Sequence, residues 1–139
     1  MIRKFKRTDL DAVADIWLAT NLETHDFIPA SYWRSHFEVV KSQLSQAELY
    51  VCEQKGEIQG FVGLCGEYIA GIFVSGEAQS QGIGKRLLDF VKGRKERLCL
   101  TVYRKNARAT RFYQREGFVI QRERPDENTG EPEYEMTWA

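Results

Sequence analysis

A short glycine-containing stretch, QSQGIG at residues 79–84, has the features of an anion-binding turn. It follows an apolar run, Ile69 to Val74, and it opens an amphipathic segment, so the order predicts strand, loop and helix. Gly82 and Gly84 allow a ligand to approach the backbone closely, and the first N–H groups of a helix have no partner inside it. These donors and the positive end of the helix dipole favour a bound phosphate.

Two familiar phosphate-binding loops do not fit this stretch. A dinucleotide fingerprint needs a third glycine three residues after the second, where this chain has Leu87. A Walker A loop needs glycine where the chain has Gln79, and Ser or Thr where it has Arg86. The pattern that remains, Gln-x-x-Gly-x-Gly after a strand, resembles the pyrophosphate loop of the GCN5-related N-acetyltransferases (GNAT), which hold acetyl-coenzyme A (acetyl-CoA) there.

A second stretch, NARATRFYQREGF at residues 106–118, resembles the other hallmark of this family. It has an Asn at the start of a helix, then Ala and Phe-Tyr on one face, and ends in Glu-Gly-Phe. The resemblance implies an acyl-CoA N-acyltransferase fold, which is an α/β (α+β) fold with a mixed, mostly antiparallel sheet. It also implies that an acetyl group moves from acetyl-CoA to a primary amine, on a protein lysine or a small molecule.

The resemblance further implies which residues bind the cofactor. The backbone of the central strand pairs with the pantetheine arm, the glycine loop holds the pyrophosphate, and the second motif contacts the arm. The residues so implied are Ile72, Phe73, Val74, Gln79, Ser80, Gln81, Gly82, Ile83, Gly84, Lys85, Asn106, Ala109 and Phe112.

The implied chemistry is direct attack of the amine on the thioester through a tetrahedral intermediate. The amine must be neutral, and a free lysine amine near pH 7 is unprotonated only roughly once in a few thousand molecules, so a base is useful. A backbone N–H near Val74 is expected to stabilise the oxyanion. Tyr113 matches the family tyrosine beside the thioester sulfur, where it donates a proton to the leaving thiolate.

The base and the acceptor-binding residues are less well defined by the sequence. His25, in a predicted loop at residues 21–29, is the first candidate for the base because an unperturbed imidazole titrates near neutrality; the alternative is that it packs or caps locally. The candidates that line the acceptor site are Glu23, Glu67, Tyr68 and Tyr103.

Charge is balanced overall but unevenly distributed. The net charge is zero, yet residues 83–115 contain eleven Lys or Arg and two acids, and residues 116–139 contain seven acids and two Arg. A polyanionic cofactor on the basic block explains this, whereas solvated helix faces are the simpler explanation. An enzyme that acetylates aminoacyl-tRNA and a non-catalytic acyl-CoA sensor are alternative functions. Zero net charge argues weakly against the large RNA-binding surface that the first of these would use.

The composition of the 139 residues is typical of one globular domain, residues 1–139, acting as a monomer or homodimer. No run approaches the roughly 20 apolar residues of a membrane span and no signal peptide is recognisable, so a cytoplasmic protein is expected. Cys52, Cys65 and Cys99 lie far apart in apolar runs and are expected to be buried free thiols. Neither histidine stands at metal-ligand spacing from them, and no metal is expected.

Regular elements that would position these residues are recognisable along the whole chain. Thr8 is predicted to cap a first helix at residues 9–21, and Ser31 is predicted to cap a second. The dipeptide Lys55-Gly56 indicates a hairpin, and Gly117 is expected to end the helix that begins near Asn106. The order β, α, α, β, β, β, α, β, α, β, β predicts a mixed sheet with helices on both faces.

Overall fold

Seven strands form one mixed sheet in the computed structural model of this chain, which describes residues 1–139. The sheet order is β1-β2-β3-β4-β5-β7-β6, and every neighbouring pair is antiparallel except β4 and β5. The elements are β1 (Ile2–Lys4), α1 (Leu10–Thr24), α2 (Ala30–Ser35), α3 (Phe37–Leu44), β2 (Glu48–Gln54), β3 (Glu57–Cys65), β4 (Tyr68–Val74), α4 (Ile83–Lys92), β5 (Leu98–Tyr103), α5 (Ala107–Arg115), β6 (Val119–Pro125) and β7 (Pro132–Trp138). The predicted mixed, mostly antiparallel sheet with flanking helices is confirmed.

Helices cover the sheet on both faces, and each face has its own apolar core. The larger core lies under α4 and α5, where Ile83, Leu87, Leu88 and Val91 form the buried stripe of α4 against the strands. The smaller core lies under α1 and includes Val13 packed with residues of β2 and β3. Helix α5 packs on β5, and α1 packs on β3 and β4.

Two local predictions about turns are confirmed. Lys55 and Gly56 both have positive φ angles, 54° and 77°, and connect β2 to β3 as a type I′ hairpin turn requires. Gly117, with φ of 96°, follows the end of α5 in the left-handed conformation typical of a residue beyond a helix C-terminus.

The predicted helix caps at Thr8 and Ser31 are wrong. Thr8 lies inside a 3₁₀ turn, Arg7–Asp9, and the buried Asp9 carboxylate accepts hydrogen bonds from the Lys6 N–H and the Arg3 guanidinium. Pro29 takes the N-cap position of α2, so Ser31 is already helical. The predicted second helix is divided at His36 into α2 and α3, which gives three helices before β2 instead of two.

The first helix extends to Thr24, three residues beyond its predicted end, so the loop expected at residues 21–29 begins only at His25. The predicted burial of all three thiols is also wrong: Cys52 is buried, Cys99 is half-buried, and Cys65, at the end of β3, is exposed. No three His, Cys, Asp or Glu side chains cluster as a metal site would need. None of the helices is long and apolar enough to span a membrane.

Candidate active site

Strands β4 and β5 separate to leave a gap in the middle of the sheet. They are paired only at Tyr68 with Cys99 and at Ile69 with Leu100, whereas β4 remains paired with β3 up to Val74. Beyond Ile69, the β4 backbone edge that faces β5 therefore has no strand partner. An extended ligand can add to such an edge through main-chain hydrogen bonds.

The residues expected to offer this backbone edge are held by their side chains. Phe73 stacks on Phe61 at 5.0 Å between ring centroids in the core under α1, and Ile72 and Val74 pack against the larger core on the opposite face. Because these side chains point to the two cores, residues 72–74 present their backbone to the gap.

The glycine loop follows β4 and leads directly into α4. The Gln79 amide donates a hydrogen bond to the Val74 carbonyl at 3.2 Å, which ties the loop to the end of the strand. Ser80 and Gly82 both adopt left-handed conformations, with φ of 67° and 78°. A Cβ at Gly82 would have no heavy atom within 4 Å, so open space adjoins the loop at this point.

The N-terminus of α4 has free backbone donors. Gly82 is its N-cap residue and no side chain caps the helix. The first backbone bond within it runs from the Arg86 N–H to the Gly82 carbonyl, so the N–H groups of Ile83, Gly84 and Lys85 have no helical acceptor. Buried Ile83 anchors this end to the core, and the resulting set of donors suits a diphosphate.

Two basic side chains near the loop have different environments. The Lys85 ammonium is paired with Asp89 at 3.2 Å and with Glu116 at 3.0 Å, so its charge is already engaged by carboxylates. Arg108 of α5 instead donates a hydrogen bond to the Ser80 hydroxyl at 3.2 Å. Arg108, which the sequence motifs did not single out, thus brings a positive charge to the loop from the opposite side of the gap.

Helix α5 begins at the far end of β5, where the gap is open. Its N-cap is Asn106, whose side-chain oxygen accepts a hydrogen bond from the Ala109 N–H at 3.2 Å. Ala109 and Phe112 are partly buried against the larger core, and a Cβ on Gly84 would lie 3.7 Å from the Phe112 ring. The two motifs of the sequence meet where Gly84 of α4 and Phe112 of α5 approach each other.

Tyr113 lies on the buried face of α5, between Phe112 and Phe118, with ring centroids 5.2 Å and 5.5 Å away. Only 8% of its surface is exposed, and no hydrogen bond within the chain involves its hydroxyl. Burial, and then the neighbouring Tyr68, raise the pKa of this phenol above its usual value of 10.0. The hydroxyl therefore keeps its proton at neutral pH and is able to donate it.

Tyr68 stands where β4 and β5 begin to separate. Its hydroxyl is hydrogen-bonded to the Thr101 hydroxyl at 2.9 Å, which bridges the two strands at the closed end of the gap. Tyr68 is 37% exposed, and its role in the acceptor site stays a prediction.

His25 is the centre of a hydrogen-bond network and not a free base. Its Nδ1 lies 2.8 Å from the Asn21 Oδ1, and its Nε2 lies 3.1 Å from the Asn106 Nδ2. The Asn21 amide in turn donates to the Trp17 carbonyl at 2.9 Å. Desolvation lowers the pKa of His25 to about 4, although the charge of Asp26 opposes this shift. An imidazole that is weakly basic and already engaged at both nitrogens is a poor candidate for the base predicted from the sequence.

Protonation of His25 is expected to reduce stability in mild acid. The unfolded chain binds the proton near pH 6.5 and the folded chain only near pH 4, so the free energy of unfolding is highest above pH 6.5 and falls as the pH drops towards 4. The full loss is about 3 kcal/mol. Urea denaturation at several pH values measures it. His25→Gln should remove this part of the pH dependence, and His36→Gln, at an exposed ring outside the network, is the matched control.

Tyr103 holds the β6–β7 hairpin next to the loop that follows α1. Its hydroxyl donates to Asp126 at 2.7 Å, and its ring contacts His25 and Phe27 with centroids 5.0 Å and 5.5 Å away. Burial, followed by the Asp126 hydrogen bond, raises the pKa of this phenol. Tyr103 thus connects β5 to the β6–β7 hairpin and to the loop after α1, and its role in the acceptor site stays a prediction.

An open groove of about 540 Å³ lies between α2 and the tip of this hairpin. Its walls combine aromatic and polar side chains; they include Phe27, Pro29, Tyr32, Asn128, Thr129 and Glu131. The Lys105 ammonium contacts two of these wall residues: it is paired with Glu131 at 3.1 Å and lies 5.4 Å from the Phe27 ring centroid.

The two acidic residues expected at the acceptor site lie apart from each other. Glu23, in the last turn of α1, is exposed, and its carboxylate lies 3.6 Å from where a Cβ on Gly76 would stand, just beyond β4. Glu67 is paired with Arg97 at 3.4 Å and lines a different groove, of about 440 Å³, near the C-terminus of the chain. The structure therefore does not bring Glu67 to the open end of the gap.

Sequence reasoning missed Asn21, Phe27, Tyr32 and Arg108 as residues around the site. Asn21 stands four residues before His25, a spacing that brings side chains together on a helix, so this contact had a recognisable signal. The positions of Phe27, Tyr32 and Arg108 depend on contacts with distant segments and had none.

Comparison with known proteins gives consistent results. Residues 45–120 match the family model described as an acetyltransferase (GNAT) domain. The peptidyl-lysine N-acetyltransferase YiaC of Escherichia coli is 38% identical over 99% of this chain and 96% of that protein. The peptidyl-lysine N-acetyltransferase YjaB of Salmonella typhimurium is 29% identical over 94% of this chain and 91% of that protein. The solution structure of apo-form YjaB from Escherichia coli superposes with a TM-score of 0.88, at 24% identity, over 100% of this chain and 97% of that one.

Proposed function

This chain belongs to the GNAT acetyltransferase family, and we propose that it acetylates the side-chain amine of lysine residues in proteins. It is an acetyl-CoA-dependent N-acetyltransferase, which sets aside the non-catalytic acyl-CoA sensor. The observation that carries the choice of acceptor is the 38% identity to a peptidyl-lysine N-acetyltransferase along almost the full length of both chains.

The residues around the gap fit acetyl-CoA. The free edge of β4 suits the amide-containing arm, and the uncapped N-terminus of α4 suits the diphosphate. The open space next to Gly82 leaves room for phosphate oxygens, and Arg108 adds a positive charge. We assign the arm to the backbone of residues 72–74 and the diphosphate to the backbone of residues 79–85.

Acetyl-CoA, when bound, supplies an acetyl group activated as a thioester. Tyr113, with its proton retained on a hydroxyl that has no partner in the chain, serves as the acid that donates to the departing sulfur. Glu23 is an exposed carboxylate beside the end of β4 and pairs with no basic side chain, so it is the remaining candidate to receive the proton of the amine. His25 has no catalytic role in this proposal, because its Nε2 is engaged with Asn106.

The groove between α2 and the β6–β7 hairpin supports a protein substrate. It is open along the surface and presents aromatic rings and hydrogen-bonding groups, as expected of a site that accepts an exposed lysine together with its flanking chain. Two of its wall residues, Glu131 and Phe27, already contact the ammonium group of Lys105, which supports a lysine as the acceptor.

The test is acetyl transfer by the full chain to a panel of lysine-containing proteins and peptides, polyamines, aminoglycosides and aminoacyl-tRNA. Thiol release gives the rate, and mass spectrometry locates the acetyl group. We expect Nε-acetyllysine as the main product. We also expect Tyr32→Ala to raise the KM for the peptide about tenfold, because one aromatic contact that anchors the peptide is lost. The KM for acetyl-CoA should be unchanged.

The control is Ser42→Ala, on the exposed face of α3. Preferential acetylation of aminoacyl-tRNA or of a free polyamine would contradict the proposed acceptor. Equal KM values for Tyr32→Ala and wild type would remove the groove from acceptor binding.

A further inference from the structure

Two segments that are 81 residues apart in the chain meet through one hydrogen bond between side chains. His25 begins the loop after α1, on the acceptor side of the gap, and Asn106 is the N-cap of α5, on the cofactor side. The sequence motifs place Asn106 in cofactor binding but give His25 no connection to it.

The donor and the acceptor in each hydrogen bond of His25 follow from the other hydrogen bonds that Asn21 and Asn106 form. The Asn106 Oδ1 accepts from the Ala109 N–H, so the Asn106 Nδ2 must be the donor to His25 Nε2. The Asn21 Nδ2 donates to the Trp17 carbonyl, so the Asn21 Oδ1 must accept from His25 Nδ1. His25 is therefore neutral, with its proton on Nδ1.

Aromatic rings hold the imidazole in this orientation. Tyr103 and Phe27 contact it edge-to-face, with centroids 5.0 Å and 5.6 Å away, and Trp33 lies against it at 5.7 Å. Because the ring is packed on several sides and bonded at both nitrogens, it has little freedom to rotate. It offers Asn106 an acceptor at one fixed place.

We infer that His25 is a positioning residue for cofactor binding, which fixes the Asn106 amide and the N-terminus of α5 at the open end of the gap. One Asn106 amide hydrogen is directed to His25, and this leaves the other N–H for a ligand in the gap. Without His25 the amide rotates more freely and must be ordered when the cofactor binds, which weakens binding. The inference depends on acetyl-CoA as cofactor but on no particular acceptor.

The test compares three substitutions of His25 that distinguish the roles of its two ring nitrogens. Glutamine places a hydrogen-bond acceptor near the position of Nε2, asparagine places a polar group only near the position of Nδ1, and alanine places a polar group at neither position. Acetyl-CoA dissociation constants are measured by calorimetry without any acceptor. We expect His25→Ala and His25→Asn to weaken binding about fivefold, the effect of one neutral hydrogen bond, and His25→Gln to stay within about twofold of wild type.

Two further measurements separate positioning from general stability. In an Asn106→Ala background, His25→Ala should weaken binding no further, because the interaction is already absent. In the wild type, ¹⁵N NMR should report a neutral ring with its proton on Nδ1. Equal dissociation constants for all folded His25 variants, additive losses in the double variant, or a proton on Nε2 would each overturn the inference, and none of these results depends on which acceptor is used.

Discussion

Replacing Tyr113 by Phe is expected to lower turnover about 100-fold while leaving the dissociation constant of acetyl-CoA nearly unchanged. The hydroxyl forms no hydrogen bond within the chain, so its removal leaves the packing of the ring between Phe112 and Phe118 intact. What is lost is the proposed proton donor, whose pKa is raised by burial and which is therefore protonated at neutral pH.

The measurement is single-turnover acetyl transfer to the best peptide, together with calorimetric binding of acetyl-CoA. Tyr50→Phe is the matched control, because it removes a hydroxyl that is bonded to Glu48 on β2, away from the gap. Unchanged turnover in Tyr113→Phe would exclude Tyr113 from the chemistry. A large loss of cofactor affinity with normal turnover would make it a binding residue instead.

Replacing Gly82 by Ala is expected to weaken acetyl-CoA binding about tenfold, equivalent to about 1.4 kcal/mol. The residue has φ of 78° and caps α4, whose first N–H groups are free. A methyl group here extends into the open space beside those donors, where a phosphate oxygen has to approach within about 3 Å of the nitrogen atoms.

Gly56→Ala provides a closely matched control. Gly56 has φ of 77°, and a Cβ there would also have no heavy atom within 4 Å, but it lies in the β2–β3 turn. Both substitutions should lower the free energy of unfolding by about 1–2 kcal/mol, the cost of a left-handed non-glycine residue. Calorimetry measures the affinity for acetyl-CoA, and urea denaturation measures the free energy of unfolding. Equal cofactor affinity in both variants would contradict diphosphate binding at the glycine loop.

Features encoded by neighbouring residues were predicted well. The stripe of Ile83, Leu87, Leu88 and Val91 indicated α4, and Lys55-Gly56 indicated the first hairpin, because helix and turn signals depend on spacings of a few residues. The ends of helices were predicted less well. Thr8 is a residue type that often caps helices. The carboxylate that forms hydrogen bonds at this helix start is instead that of Asp9, and its partner Arg3 lies on β1.

The sequence by itself determined the family, the sheet with helices on both faces, and the two motifs that lie beside the gap between β4 and β5, since each of these follows from local patterns and their order. Only the tertiary structure decided the role of His25, because its partner Asn106 lies 81 residues away and its environment is built by the rings of Phe27, Trp33 and Tyr103. A histidine in a loop looks the same in the sequence whether its imidazole is solvated and basic or buried and neutral. Burial and hydrogen-bond partners set its pKa, and both arise only when distant segments pack together.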